Sequence, residues 1–384
     1  MVELVRQGSP MRAVARRFGV APNTVRLWVR RSAGVPVEQV DWSDGSSAPH
    51  QVHNRTAPGV EQQVVDCRRQ LASPENALGF VGAAAISEAL QDTIAQLPSC
   101  RTIGRILKRQ GVVDRPSRRR FPAPPTGWYL PDLARGLADC DAFDVIEGLV
   151  LEGRGEIEVL TGAAVWGAAV EAWPAPTIHA QDVVEQLVSH WRTVGLPTYV
   201  QFDNDTRFQG GHGHPDTLGR VARMCLGLGI TPVFTPPREM GFQAILERFN
   251  GLWQAKVWHR MHHDSLEVLR ARSQRFIEAY VARRTARLDG LPARSPFPSD
   301  WRLDFQRPLH GRLIYVRRTD DAGAVSLLGR HFAIDARWAH RLVRCEVDLS
   351  HHVIRVFRLR RREPEEQPLL ATINHQVLQR QFRA

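Results

Sequence analysis

Three acidic side chains stand in settings where an ordinary solvated carboxylate is not expected. Asp144 lies inside the apolar run "FDVIEGLVL", Asp203 ends "TYVQFD" and opens the loop "NDTRF", and Glu247 sits in "GFQAILERFNGLWQAKVW". If that last stretch is a helix, Gln243, Asn250 and Gln254 share the face of Glu247. Two carboxylates from a sheet and one from a helix packed over it can converge. Gathered carboxylates raise one another's pKa and cost free energy unless a hard cation neutralises them. Oxygen donors of this kind suit Mg2+, with Mn2+ as a substitute. Two such ions about 4 Å apart activate an oxygen nucleophile and stabilise the leaving oxygen of an in-line phosphodiester displacement. On this reading Asp144 bridges both ions, while Asp203 and Glu247 each hold one. His212 and His214 of "GHGH" and the pair His262-His263 compete for a metal role and are read as loop or surface residues.

The texture around these acids is that of an α/β domain. From about Asp141 the runs "FDVIEGLVL", "EIEVLTGAAVWGAAVEA" and "TYVQFD" read as strands, and "ITPVF" adds another. They alternate with helical stretches at Asp182 to Val194 and Thr217 to Leu226, a pattern that places helices on a mixed sheet. Upstream, "PMRAVARRFGVAPNTVRLWVRR" carries Val14, Ala15, Phe18, Val20, Val25 and Trp28 around Gly19. That spacing predicts two short helices joined by a tight turn, a helix-turn-helix with Val25 and Trp28 facing inward. The second helix would then present Asn23, Thr24, Arg26 and Arg30 to bases and phosphates in a major groove.

A polar stretch follows, then "GAAAISEALQ" and "SCRTIGRILKRQG", read as helices, the second opened by Ser99 and closed by Gly111. Thr102, Arg105, Lys108 and Arg109 on that helix are further candidates to meet phosphates. Beyond Met261 comes one more helical segment and a Pro-marked connection. Four strand-like runs, "GRLIYVRRT", "AVSLLGRHFAI", "RLVRCEVDLS" and "VIRVFRLRRR", are spaced as in a small antiparallel barrel whose Arg317, Arg318, Arg355 and Arg358 point outward. The expected organisation is helix-turn-helix 1–34, linker 35–56, second helical DNA-binding unit 57–117, Pro-rich linker 118–137, catalytic core 138–260, helix and linker 261–308, β-barrel 309–362 and tail 363–384.

Charge supports a polyanion partner. The chain of 384 residues carries 51 Lys+Arg against 40 Asp+Glu, a formal net charge of +11. Residues 1–135 hold 19 basic and 11 acidic side chains (19 − 11 = +8), 136–260 hold 9 and 15 (9 − 15 = −6), and 261–384 hold 23 and 14 (23 − 14 = +9). Basic flanks gain from neutralising phosphates and releasing their counterions, whereas an acidic centre repels the same polymer unless a cation sits there. Of the basic residues 49 are Arg, which genomic base composition also favours. Five cysteines, none in a Cys-x-x-Cys pair, argue against a disulfide framework or thiolate zinc site. The sequence shows no apolar run long enough to span a membrane and no charged-then-apolar leader, so a cytoplasmic protein without a membrane partner is expected.

The segment from about Ala138 to Arg260 resembles the integrase catalytic core shared by insertion-sequence transposases and retroviral integrases. "QFDNDTRF" is similar to that family's second-acid motif, Asp-Asn, usually Gly, then Phe; "QAILERFN" resembles its third-acid helix, Gln-x-x-x-Glu-x-x-Asn. The order of helix-turn-helix, core and small basic barrel also looks like a bacterial transposase. The resemblance implies an RNase H-like core with Asp144, Asp203 and Glu247 as its catalytic, metal-holding triad, Asn250 beside DNA and no covalent enzyme intermediate. It further implies Mg-dependent hydrolysis at the ends of a mobile element and transfer of the freed 3′-hydroxyl into target DNA. The partners would be double-stranded DNA and at least one more copy of the chain, acting in the bacterial cytoplasm at the nucleoid. Two other readings differ in chemistry, a non-catalytic DNA-binding regulator derived from a transposase and a nuclease that cuts without joining.

The sequence departs from the family pattern in places. Asp205 stands where Gly is usual. The separation 247 − 203 = 44 exceeds that of compact members, and Glu239 at 239 − 203 = 36 has the commoner spacing. Glu247 is preferred because Glu239 follows the Pro-broken "TPPR", and Asp144 is preferred over Asp141 because it lies deeper in its strand. No His-His-Cys-Cys zinc module precedes the core.

Overall fold

The computed structural model describes residues 1–43, 56–113, 126–211, 214–239, 241–285, 293–304, 306–378 and 380–381. His212, most of the polar linker, the basic "RPSRRRFP" run and the last three residues lie outside the described residues. The chain divides into two compact units, Met1–Ala57 and Pro58–Ala384.

The first unit holds three helices, α1 (Val2–Arg6), α2 (Met11–Phe18) and α3 (Pro22–Arg31). Gly19 closes α2 at φ 65°, a left-handed conformation that glycine adopts without steric cost, and Pro22 opens α3, where its missing N–H is not needed. Val14, Ala15 and Val25 form the buried centre. One expectation changes here. Trp28, read as facing inward, is only half-buried, its ring tilted against that of Trp42 with Arg31 over it, and Phe18 is 48% exposed.

The second unit opens with α4 (Pro58–Ala72), α5 (Ala83–Leu90) and α6 (Cys100–Arg109), packed around Val64, Ile86, Ile103 and Ile106. Ser99 caps α6 by accepting the Thr102 N–H at 3.3 Å, as the sequence indicates. The loop between α4 and α5 is gripped by cations from the far end of the domain: Lys256 Nζ donates to the Gly79 carbonyl at 2.9 Å and Arg260 to that of Asn76 at 2.6 Å.

After the short α7 (Pro131–Ala134), strands β1 (Cys140–Leu151), β2 (Gly155–Ala164) and β3 (Val170–Ala175) form the expected antiparallel meander. Next come α8 (Ala180–Val194), β4 (Tyr199–Phe202), α9 (Thr206–Gln209), β5 (Thr217–Leu218), α10 (Arg220–Gly227) and β6 (Thr231–Phe234). Helix α11 (Ala244–Trp253) passes through a π turn at Gln254–Trp258, and α12 (Leu266–Thr285) follows. The remaining strands are β7 (Arg312–Arg318), β8 (Ala324–Leu327), β9 (Arg330–Ala333), β10 (Leu342–Asp348), β11 (Val353–Arg358), β12 (Leu369–Asn374) and β13 (Arg380–Gln381).

The C-terminal strands do not close into the separate barrel that their spacing suggests. They continue the core sheet, giving one nine-stranded sheet in the order β12-β11-β10-β7-β6-β4-β1-β2-β3. The junction is a parallel pairing of β6 with β7, Val233 beside Ile314 and Phe234 beside Tyr315. The reason lies in β7 itself, where Leu313, Ile314, Tyr315 and Val316 are all buried, so both faces of the strand are apolar. A strand of that kind belongs inside a sheet covered on both sides. Side chains alternate across the sheet, so neighbouring residues serve opposite faces. Phe143, Phe202 and Tyr315 join Leu187 and Trp191 of α8, and Val343 and Ile354 of the C-terminal strands, in one core. Ala142 and Val159 pack instead against Phe249 and Trp253 of α11 and Phe276 of α12.

Because one core runs through both halves of the sheet, a chain ending before Leu309 should lose cooperative folding. Its circular dichroism melt should lack a sharp transition; a sharp one in the truncated chain would show that the core stands alone.

Candidate active site

Parallel pairing brings two of the three acids together. In β1 and β4, Ala142 lies beside Gln201. The pairing ends there; two residues further on, Asp144 in β1 and Asp203 just after β4 stand at the same end of the two strands, close enough for the charge of Asp203 to act on Asp144. Both are partly buried. Burial, and then the charge of Asp203, push the Asp144 carboxyl up from the usual 3.8 to about 6. Burial also raises Asp203, against the Asp205 N–H that its Oδ1 accepts at 2.9 Å.

The helix predicted to carry the third acid supplies a link to this pair. Asn250 of α11 donates its Nδ2 to Asp144 Oδ2 at 3.1 Å, while its own buried Oδ1 has no partner among the described residues. Glu247, one turn earlier, is exposed, and its Oε1 accepts the Gly241 N–H at 3.2 Å. Among the described residues no three His, Cys, Asp or Glu side chains are gathered as a metal-ligand group. The structure therefore joins Asp144 and Asp203 and leaves Glu247 hooked to the loop before its own helix. The donor set nonetheless fits a hard divalent cation. Two adjacent buried carboxylates repel, and a cation between them removes the cost.

Both rival acids are committed elsewhere. Asp141 is 1% exposed and accepts Arg294 Nη2 at 2.6 Å and Trp191 Nε1 at 3.0 Å, and Glu239 pairs with Arg318 at 2.7 Å and Arg361 at 3.5 Å. Neither is available to a cation without losing a guanidinium. Of the histidines, exposed His262 lies 3.3 Å from Asp264, and His263 is buried against the Val257 carbonyl at 3.1 Å.

Several residues that hold the site were not singled out from the sequence. Arg207 binds Asp205 at 2.6 Å and Glu158 at 3.2 Å and also reaches Glu147, so one guanidinium bridges three carboxylates around the Asp203 loop and offsets one of their charges. This gives Asp205 a structural role as N-cap of α9 in the place where Gly is usual. Asn204 donates to the Thr235 carbonyl at 2.7 Å and accepts Arg317 Nη2 at 2.7 Å. Tyr129 and Gln201 both donate to the Phe242 carbonyl, at 3.0 Å each, fixing the segment that carries Gly241. The "FDNDTRF" motif did place Arg207 close by; the partners of Arg317, Tyr129 and Gln201 come from across the fold and leave no local signal.

The DNA-facing candidates divide. Asn23, Arg26 and Arg30 are exposed on α3 and Thr24 is half-buried. Arg105 and Lys108 are exposed on α6, but Arg109 pairs with buried Glu61 and Thr102 hydrogen-bonds the Ser99 cap, so those two serve the fold. Arg317, expected to point outward, is 6% exposed and donates to the carbonyls of Thr235 and Val316.

No family model and no curated protein matches the sequence. Among solved structures the chain is similar to one in the simian T-cell lymphotropic virus intasome bound to PP2A regulatory subunit B56 gamma, with 12% identity, TM-score 0.31, and coverage of 69% of this chain and 84% of that one. It is also similar to the catalytic core domain of BIV integrase, with 15% identity, TM-score 0.28, and coverage of 41% of this chain and 90% of that one. Scores this low leave the fold description resting on the strand order and register given above.

Ionising Asp144 beside Asp203 costs the metal-free fold stability. Because its folded pKa is raised, that cost is present in full above about pH 6 and vanishes as the pH falls towards the usual 3.8. Asp144→Asn should therefore stabilise the metal-free protein at pH 7.5, by up to about 3 kcal/mol at roughly 1.4 kcal/mol per pH unit, and much less at pH 4. Urea denaturation at both pH values measures this, and equal effects at the two would refute the coupling. Mg2+ should raise the melting midpoint of the parent chain at pH 7.5 more than that of Asp144→Asn.

Proposed function

We propose that the protein is a DNA transposase of the Asp-Asp-Glu class, a polynucleotidyl transferase that hydrolyses phosphodiesters at element ends and joins the 3′-hydroxyl to target DNA. The observation that carries this reading is the Asp144 and Asp203 pair, one in β1 and one just past the end of the parallel β4, tied through Asn250 to the helix of Glu247. The sequence motifs around Asp203 and Glu247 and the basic flanks support it.

Asp144, Asp203 and Glu247 would hold divalent ions, Mg2+ or Mn2+, which when bound supply Lewis acidity to the attacking and leaving oxygens. The protein's own part is positional. Asn250 orients Asp144, the Asp205 N–H orients Asp203, and Arg207 ties together the surrounding carboxylates. For Glu247 to join the pair, its carboxylate must leave the Gly241 N–H, a change within the first turn of α11. Asn23, Thr24, Arg26 and Arg30, with Arg105 and Lys108, would bind the element end. Cutting and joining two ends together requires at least a dimer on DNA.

The test is Mg-dependent cleavage and strand transfer on a duplex carrying the DNA that flanks the gene. Asp203→Asn and Glu247→Gln should each reduce both products by on the order of 10²-fold or more while DNA binding persists. Tight binding with no chemistry at any divalent ion would instead identify a regulator. Free ends without joined strands would identify a nuclease.

A further inference from the structure

The C-terminal strands end where the acid pair lies. Phe202 is beside Phe234 and Phe234 beside Tyr315, so the next residues Asp203, Thr235 and Val316 form one row across β4, β6 and β7. One step further out, Arg317 is beside Val343 and Val343 beside Arg358, and Arg318 is beside Leu342. Arg341 precedes Leu342 and Arg360 follows Leu359, so both stand at this same end of the sheet. Three strand spacings, ~14 Å, separate the strand of Asp203 from that of Arg341. That is about four nucleotide steps at ~3.4 Å each.

The surface between them is concave and basic. A hollow of about 370 Å³ is walled by Pro236, Arg238, Arg317 and Arg318, and the next, of about 300 Å³, by Arg318, Trp338, Arg341 and Arg360. Arg318 is common to both. Buried Arg317 in the first wall is bonded to Asn204, the neighbour of Asp203. In the second, Trp338 is 6% exposed, with the guanidinium carbons of Arg341, Arg358 and Arg360 at 4.7, 5.5 and 5.6 Å from its ring centroid. Stacking on a ring holds a guanidinium in place and leaves its in-plane N–H groups for an oxyanion. Acids also face this surface: Glu239 on Arg318 and Arg361, Glu363 on Arg360, Glu366 on Arg358, Asp321 on His340, and Asp320 in the first wall. Exposed Arg238 and Arg341 have no carboxylate partner among the described residues.

We infer that this end of the sheet is a track for a phosphodiester backbone, along which the DNA strand leaving the Asp144 and Asp203 pair runs past Arg238 and Arg318 to the arginines stacked on Trp338. The inference rests on the proposed function and adds the path and partner residues of the DNA. The track follows from the continuous sheet, which fixes these arginines relative to the acids as a tethered barrel would not. Arg355 provides the contrast. It bonds Asp348, at the opposite end of β10, and lies off the track.

The experiment measures binding of the full chain to a mixed-sequence DNA duplex of three helical turns by fluorescence anisotropy over a range of salt concentrations. Each phosphate contact contributes about 0.9 to the slope of log affinity against log salt. The double variant Arg238→Ala/Arg341→Ala should lower that slope by about 2, Arg341→Lys should keep it near the parent value when paired with native Arg238, and Arg355→Ala should leave it unchanged. Circular dichroism melts of each variant check the fold. A double variant with the parent slope, or an equal drop in Arg355→Ala, overturns the track while leaving DNA binding in place. A parent chain with no salt-dependent DNA binding overturns the track and the functional reading together.

Discussion

Two like charges held side by side are the constraint around which this site is organised. The parallel pairing of β1 with β4 sets Asp144 and Asp203 two residues beyond its last paired rung, where the charge of one carboxylate acts on the other. Partial burial removes the water that would screen them, and the protein answers with donors instead of a neutralising cation. Asp144 receives the Asn250 amide and Asp203 the Asp205 N–H, both neutral dipoles. The neighbouring carboxylates are treated differently, since Asp205, Glu147 and Glu158 converge on Arg207 and Asp139 and Asp141 on Arg294. The pair at the strand ends has no guanidinium in direct ion-pair contact among the described residues, although the charge of Arg207 reaches Asp203. Excess negative charge around the strand ends is what a cation-binding reading requires.

The same sheet explains why the two halves of the second unit are inseparable. Tyr315 of β7 stacks on Phe234 at 5.0 Å between ring centroids, and Phe202 stacks on Phe208 of the acid-bearing loop at 4.8 Å. Arg317 then uses its buried guanidinium to tie β7 to the end of β6 and, through Asn204, to the Asp203 loop. A buried arginine satisfied by carbonyls and an amide is costly to place, and burial lowers its pKa to about 10. Its hydrogen bonds hold three strand ends in one arrangement. The C-terminal strands are therefore part of the site's scaffold, and the basic hollows beyond them inherit a fixed position from it.

Glu247 marks the one place where the fold stops short of the expected constellation. Its helix is anchored by Leu246, Phe249 and Trp253 in the core, so the backbone is well placed. The side chain sits in the first turn, where the free N–H of Gly241 competes for its carboxylate. A local hydrogen bond to a neighbouring backbone donor is available at once, whereas joining two other carboxylates is favourable only with positive charge between them.

The amino-acid sequence by itself determined the local pieces. The apolar runs "FDVIEGLVL" and "EIEVLTGAAV" produced the meander, Ser99 and Gly111 bounded α6, and Gly19 set the turn between α2 and α3. Asp144 is preferred over Asp141 as the residue deeper in its strand; Asp141 itself is 1% exposed and paired with Arg294. Pairing choices were beyond its reach. That β7 would add to β6, that Arg294 would reach across more than 150 residues to Asp141, and that Arg317 would turn inward all depend on which apolar faces meet once the chain collapses. Faces and caps are properties of a few consecutive residues, set by backbone sterics. Partners are decided by the burial of surfaces distant in the chain, and that free energy exists only in the assembled fold.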